Sequence, residues 1–78
     1  MTYLTRIDPA RNMARYYSLD IQPDLFGGWI LRTEWGRIGR GGVVKNMVCL
    51  EPSAASEALA RQTARKQRRG YVMVPLPK

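Results

Sequence analysis

The sequence predicts an α+β domain in which a small antiparallel β-sheet carries one helix across a face. Residues 13–21 alternate between two sides in the period of a half-buried strand. Residues 29–50 hold two further strand-like segments around a glycine-rich turn, and residues 54–69 contain five alanines but no glycine or proline, which favours a helix. A chain of 78 residues has room for one domain with a shallow core, so residues 1–78 are interpreted as a single unit.

The N-terminal part of the chain predicts two strands. The first covers residues 3–7 and ends at the turn-forming pair Asp8-Pro9. The second covers residues 13–21, and one of its sides holds Met13, Arg15, Tyr17, Leu19 and Ile21. Arg15 is the one charged residue on this otherwise apolar side.

The middle of the chain predicts a β-hairpin. Residues 29–35 are rich in the aromatic and β-branched side chains that strands favour, and one face holds Trp29, Leu31, Thr33 and Trp35. A turn with three glycines follows, and residues 43–50 form the partner strand. Cys49 lies in this strand and is predicted to be a small core residue.

The C-terminal part predicts a helix and a last short strand. Ser53 is the predicted N-cap of a helix over residues 54–69, and Gly70 suits the position that ends it. The side of the helix that faces the sheet is predicted to hold Ala55, Ala58, Leu59 and Gln62. Residues 71–74 form the last strand, before a proline that fits a sheet edge.

Positive charge is concentrated in the second half of the chain. The net charge is +7, and residues 1–30 contribute nothing to it because three arginines balance three aspartates. Residues 31–78 hold ten basic and three acidic residues. Such asymmetry is typical of a protein that binds a polyanion, although a small domain can carry about this much charge for solubility alone.

The sequence does not indicate an enzyme. It contains no histidine, the usual general base near neutral pH, and its six carboxylates are scattered. Gly39-Arg40-Gly41-Gly42 lies between two strands and lacks the pattern of a phosphate-binding loop, so it predicts a hairpin turn. We therefore expect a non-enzymatic protein with no metal or cofactor. The single cysteine and the absence of an apolar leader or membrane-length segment favour the cytoplasm.

An ordered set of motifs around Trp35-Gly36-Arg37 resembles the WGR domain family, which is named for this tripeptide. Tyr16-Tyr17-Ser18-Leu19 is similar to the aromatic pair and leucine of the family's preceding strand. Around the tripeptide the family pattern is matched by Trp29-Ile30, Arg32 and Gly39. Arg69-Gly70-Tyr71 resembles the family's basic-Gly-Tyr ending, so the resemblance covers roughly residues 13–74.

The resemblance implies a fold and a function. WGR domains occur in DNA-dependent poly(ADP-ribose) polymerases and in small bacterial proteins, and their fold is an antiparallel sheet with a helix on one side. In the polymerases the motif contacts DNA near a strand break, a role that would fall here on Trp35 and Arg37. The catalytic domain and the neighbouring domains of those enzymes are not implied, so strand-break specificity does not follow.

The residues themselves support the same interpretation. A tryptophan at a sheet edge can stack on a base or sugar, glycine at position 36 permits close approach, and Arg37 offers a fork of donors to phosphate. Structural roles are predicted for Gly36, Gly39, Tyr17 and Trp29. Further phosphate contacts are expected from basic residues nearby in the sequence, namely Arg32, Arg40 and Lys45. The helix adds Arg61, Arg65, Lys66, Arg68 and Arg69, which form either a binding surface or a solvated face.

Trp35, Arg37 and the function each allow a second interpretation. Trp35 can instead be a core residue beneath the helix, and Arg37 can pair with Glu34 or Glu51. The first functional hypothesis is binding of nucleic acid, with DNA favoured over RNA, by shape or ends rather than base sequence. The second is a protein-interaction adaptor, or a homodimer formed through an open sheet edge.

Overall fold

The computed structural model describes residues 1–75, and these form a five-stranded antiparallel sheet crossed by one helix, as the sequence predicts. The strands are β1 (Thr2–Asp8), β2 (Met13–Pro23), β3 (Trp29–Arg37), β4 (Val43–Cys49) and β5 (Val72–Met73), and the helix is α1 (Pro52–Arg68). A single 3₁₀ turn, Pro9–Arg11, connects β1 to β2.

The strand order is β4-β3-β2-β1-β5, so β4 and β5 form the two edges among the described residues. Trp35 on β3 lies opposite Tyr17 on β2 and Val43 on β4. Opposed residues in an antiparallel pair point to the same face. This register therefore places Trp35 on the same side as Tyr17, which is the side that α1 covers.

The core lies between this face of the sheet and α1. Leu4, Leu19 and Leu31 are fully buried, one from each of the three central strands. Ala55 and Ala58 of α1 are also buried, since their small side chains let the helix approach the sheet closely. The predicted sheet-facing stripe is thus confirmed, and Cys49 is a buried free thiol, as predicted.

The helix begins differently from the prediction. Its first residue is Pro52, and Glu51 occupies the N-cap position without a side-chain capping bond, so the prediction of Ser53 as N-cap is wrong. Proline suits the first helical position because its φ is already fixed and its missing N–H would have no helical partner there. The helix ends at Arg68, and Gly70 follows with φ 94°, which confirms its predicted terminating role.

Strand lengths also differ by one or two residues. Strands β1, β2 and β3 extend beyond the predicted ranges 3–7, 13–21 and 29–35. Backbone pairing between the strands continues past the residues whose side-chain pattern predicts a strand. Strand β5 is shorter than the predicted residues 71–74. The backbone N–H of Tyr71 is held by the carbonyl of Lys66 at 3.0 Å, which keeps this residue at the helix end rather than in the sheet.

Candidate nucleic-acid interface

Trp35 lies at the margin of the core, between the sheet and the end of α1. Its ring stacks on that of Tyr17 with a centroid distance of 6.2 Å and an interplanar angle of 25°. Tyr17 is buried, and its hydroxyl donates a 2.6 Å hydrogen bond to Oε1 of Gln62 on the helix. Trp35 itself is half-buried. It therefore packs against the core with one part of its ring and leaves another part accessible.

Two clefts open beside Trp35, and both have basic walls. The lateral cleft, of about 270 Å³, lies between α1 and β4 and is lined by Tyr17, Leu31, Thr33, Trp35, Lys45, Met47, Gln62, Arg65, Lys66 and Arg69. The terminal cleft, of about 420 Å³, lies at the end of α1 and is lined by Arg15, Trp35, Gly36, Arg37, Lys66 and Tyr71. Trp35 and Lys66 belong to both clefts and separate them.

Arginines stand in a row at the terminal cleft. Arg15 lies directly opposite Arg37 on β3 and opposite Arg6 on β1, so three guanidinium-bearing residues cross three strands on one face. Neither Arg15 nor Arg37 makes a salt bridge among residues 1–75. Like charges opposed in a sheet repel one another, and an anion placed beside the row would offset this repulsion.

Arg37 is oriented by the turn before β2. Its two terminal nitrogens donate to the backbone carbonyl and to Oδ1 of Asn12, at 3.1 and 3.3 Å. Asn12 adopts a left-handed conformation with φ 52°, which asparagine tolerates better than most residues. The predicted alternative, a bridge from Arg37 to Glu34 or Glu51, is wrong within the described structure. No carboxylate of the described residues forms a salt bridge with this guanidinium.

Lys66 adds a further positive charge to the site. Its Nζ lies 4.6 Å from the ring centre of Tyr17 and 5.4 Å from that of Tyr71. Partial burial lowers the pKa of Lys66, and the positive charges of Arg69, Arg65 and Arg15 lower this pKa further. Burial and these neighbouring charges disfavour the charged form of Lys66, and an anion placed beside it would favour that form.

The structure brings together five of the predicted site residues and separates three from them. Trp35, Arg37, Lys45, Arg65 and Arg69 line the two clefts. Arg32 lies on the opposite face of the sheet, where its guanidinium bonds Glu34 at 3.1 Å. Arg40 is exposed in the β3–β4 loop, and Arg68 is exposed at the end of α1; neither lines a cleft. Whether these eight residues bind nucleic acid stays a prediction.

Sequence reasoning gave no site role to Arg15 or Tyr71, and it placed Lys66 only in a general helix cluster. One signal for Arg15 was present, because it was the single charged residue on the apolar side of its strand. The structure explains this position: β2 extends past the end of α1, so Arg15 lies on the helix side of the sheet but at the open terminal cleft.

The glycines of the motif serve close packing within the protein. A Cβ at Gly36 would lie 3.0 Å from the Cα of Gly42, because the β3–β4 loop folds back against this strand. A Cβ at Gly42 would overlap both the Trp35 carbonyl oxygen and the Tyr16 hydroxyl. Gly39 turns the loop with φ 87°. The absence of a side chain at position 36 therefore lets the β3–β4 loop approach β3, on the face of the sheet opposite Trp35.

The two other predicted structural residues occupy different environments. Tyr17 belongs to the buried core cluster and supports Trp35 directly. Trp29 is half-buried and lies opposite Pro23 and Cys49, at the far end of β3 from the clefts. Its structural role thus concerns the start of β3, away from the terminal cleft.

The fold and these two basic clefts define a small α+β domain built around a Trp-Gly-Arg segment. The chain belongs to the WGR domain family, whose sequence model matches residues 1–76. It is also similar to the uncharacterized protein y4dW of Sinorhizobium fredii (strain NBRC 101917 / NGR234), with 42% identity over 77 residues. The match covers 97% of this chain and 38% of that relative, so the chain spans less than half the relative's length.

No helix within residues 1–75 is long and apolar enough to cross a membrane. In the same part of the chain, no three histidine, cysteine, aspartate or glutamate side chains lie close enough together to hold a metal ion.

Proposed function

We propose that this protein is a non-enzymatic nucleic-acid-binding module, with DNA favoured over RNA, that contacts the sugar–phosphate backbone through Trp35 and its two clefts. One observation carries the proposal: Arg15 and Arg37 oppose each other with no carboxylate partner within residues 1–75, beside a partly accessible tryptophan. Membership of the WGR family supports it, because WGR domains of poly(ADP-ribose) polymerases bind nucleic acid.

Each part of the site has a distinct chemical role in this proposal. The accessible part of the Trp35 ring stacks on an exposed base or sugar, an interaction of about 1–3 kcal/mol per base. Arg15, Arg37 and Lys66 bind a phosphate in the terminal cleft. Lys45 and the helix arginines bind a neighbouring phosphate in the lateral cleft. Recognition by phosphate and stacking contacts selects shape or ends rather than base sequence.

The proposal is tested by fluorescence anisotropy with blunt, nicked and single-stranded oligonucleotides at two salt concentrations. Loss of one phosphate contact removes about 0.9 from the slope of log affinity against log salt for duplex DNA. We expect Arg15→Ala and Arg37→Ala each to weaken binding and reduce this slope. The matched control is Arg61→Ala, which removes the same charge from an exposed helix position that lines neither cleft. Equal losses in all three variants would show that only net charge matters.

A second candidate function, protein interaction, is favoured by the β2–β3 turn. Leu25 and Phe26 are 96% and 93% exposed at its tip, at the opposite end of the hairpin from Arg15 and Arg37. Nearly complete exposure of two adjacent large apolar side chains is typical of a contact surface. A Leu25→Ser, Phe26→Ser double variant would then lose a protein partner in a pull-down but keep its affinity for oligonucleotides. Retention of every partner excludes this surface.

A further inference from the structure

The outer edge of β4 is long and unprotected. No strand among residues 1–75 pairs with it, whereas the other edge strand, β5, has only two residues. Strand β4 has seven residues, contains no proline and carries a single charge, Lys45. Its residues 43–48 are all exposed, and Val44 and Val48 on the open face are 45% and 64% exposed. Unpaired backbone groups beside exposed apolar side chains form a template for another strand.

We propose that β4 pairs antiparallel with β4 of a second copy of this chain, with Asn46 at the two-fold axis. Asn46 is the midpoint of β4, so this register pairs all seven residues of the strand. Side chains alternate between the two faces along a strand, and opposed residues in an antiparallel pair point to the same face. The two-fold axis must therefore pass through a residue rather than between two residues.

Side-chain chemistry selects this register over its neighbours. With Asn46 at the axis, Val44 of each copy lies opposite Val48 of the other, and Lys45 lies opposite Met47. With Lys45 at the axis, the two lysines would oppose each other, and like charges directly opposed destabilise a sheet. With Met47 at the axis, Val44 and Val48 would no longer lie opposite each other. The segment VVKNMVC is thus self-complementary in one register.

The dimer formed in this way is a continuous ten-stranded sheet. A two-fold axis perpendicular to the sheet reverses strand direction but keeps the faces, so both α1 helices lie on the same side. The two Trp35 sites then face the same way, and a single long nucleic acid can reach both. This consequence rests on the proposed function, but the strand pairing itself does not.

The dimer is expected to be weak and to respond to salt. A single pair of edge strands is expected to bury less than the roughly 1,200–2,000 Å² of a standard interface. Two copies with net charge +7 each also repel one another, and salt screens this repulsion. Added salt therefore strengthens the dimer while it weakens nucleic-acid binding, so failure of one proposal is distinguishable from failure of the other.

Analytical ultracentrifugation without nucleic acid tests the association. The average mass should rise from 8.9 kDa towards twice that value as the concentration of the chain increases, and should rise further with salt. A mass that stays at 8.9 kDa at every concentration and salt overturns the proposal.

Paired charge variants test the register. The first chain carries Val44→Lys and Val48→Lys, and the second carries Val44→Glu and Val48→Glu. In the proposed register each chain repels its own copy, since position 44 opposes position 48, but the two chains attract each other. We expect monomers for each variant alone and a dimer on mixing, with far-ultraviolet circular dichroism like that of the parent. No association on mixing, with the fold intact, overturns the proposed register.

Discussion

The hydroxyl of Tyr16 donates a 2.6 Å hydrogen bond to Oε2 of Glu34 across the open face of the sheet. Arg32 donates to the other carboxylate oxygen, Oε1, at 3.1 Å. Tyr16 is itself buried, and its ring stacks on that of Tyr3 at a centroid distance of 6.0 Å. This cluster lies on the face of the sheet opposite Trp35, so it supports the strand segment that carries the candidate site.

The Tyr16–Glu34 bond predicts how stability depends on pH. The hydrogen bond from Tyr16, helped by Arg32, lowers the pKa of Glu34 below its ordinary 4.5, so this stabilisation is lost as pH falls through the lowered pKa. The same bond raises the pKa of Tyr16 above 10.0, so its contribution is lost as pH rises through the raised pKa. The Tyr16–Glu34 bond should therefore contribute most to the free energy of unfolding, measured with urea, at pH values between these two pKa values.

The control for this pH dependence is Tyr16→Phe, which keeps the ring. We expect a lower free energy of unfolding at neutral pH and a flatter profile on both sides. A profile identical to that of the parent would mean that the Tyr16–Glu34 bond does not contribute to stability.

Gly42→Ala should destabilise the fold. The new methyl group would meet the Trp35 carbonyl oxygen and the Tyr16 hydroxyl, so the β3–β4 loop must shift. Overpacking of this kind costs about 1–3 kcal/mol of unfolding free energy. Gly41→Ala is the matched control, because a methyl group there has no neighbour within 4 Å, and its effect should stay within about 0.5 kcal/mol. Equal midpoints for the two variants in thermal unfolding would contradict the packing role of Gly42.

Lys66→Met should weaken the binding of oligonucleotides without lowering the stability of the fold. The pKa of Lys66 is lowered, so its charged form is disfavoured in the folded protein, and this cost is relieved only as pH rises towards 10.5. Methionine keeps the apolar stem without the charge, so the free energy of unfolding at neutral pH should not fall. Affinity for oligonucleotides should fall, because the group shared by both clefts is lost.

Lys45→Met is the comparison for Lys66, since Lys45 is exposed and lines only the lateral cleft. We expect the Lys45 variant to lose less affinity in the same anisotropy titration. A larger loss for Lys45 than for Lys66 would place the main phosphate contact in the lateral cleft.

Trp35 should report binding by its own fluorescence. The chain has two tryptophans, so Trp29→Phe leaves Trp35 as the single reporter. A base stacked on Trp35 should quench this signal during an oligonucleotide titration, whereas the Trp35→Phe variant should show little change. Trp35→Ala should weaken binding by about 1–3 kcal/mol, or about 5- to 150-fold in Kd. Quenching of Trp29 alone would move the interface to the other end of the hairpin.

Much of the fold could be predicted from the sequence because its signals are local. Alternation over residues 13–21 identified β2, three glycines located the β3–β4 turn, and Gly70 marked the helix end. The N-cap could not be placed in the same way. Ser53 and Pro52 are competing signals one residue apart, and the choice depends on how the chain leaves β4.

The candidate site was predictable only in part, for a related reason. The tripeptide and its basic neighbours could be identified as a cluster in the sequence, but adjacent residues of a strand point to opposite faces. Arg32 and Trp35 are close in sequence and lie on different faces of the sheet. Arg15 and Arg37 are distant in sequence and lie side by side.

The sequence by itself therefore determined the α+β class, the order of the elements and the basic, aromatic character of the segment around Trp35. These properties follow from residue types and local periodicity. Only the tertiary structure decided which charges share a surface: it set Arg15 against Arg37, moved Arg32 to the far face, and placed Lys66 between two clefts. The physical reason is that strand register and helix placement are fixed by hydrogen bonds and packing between distant residues.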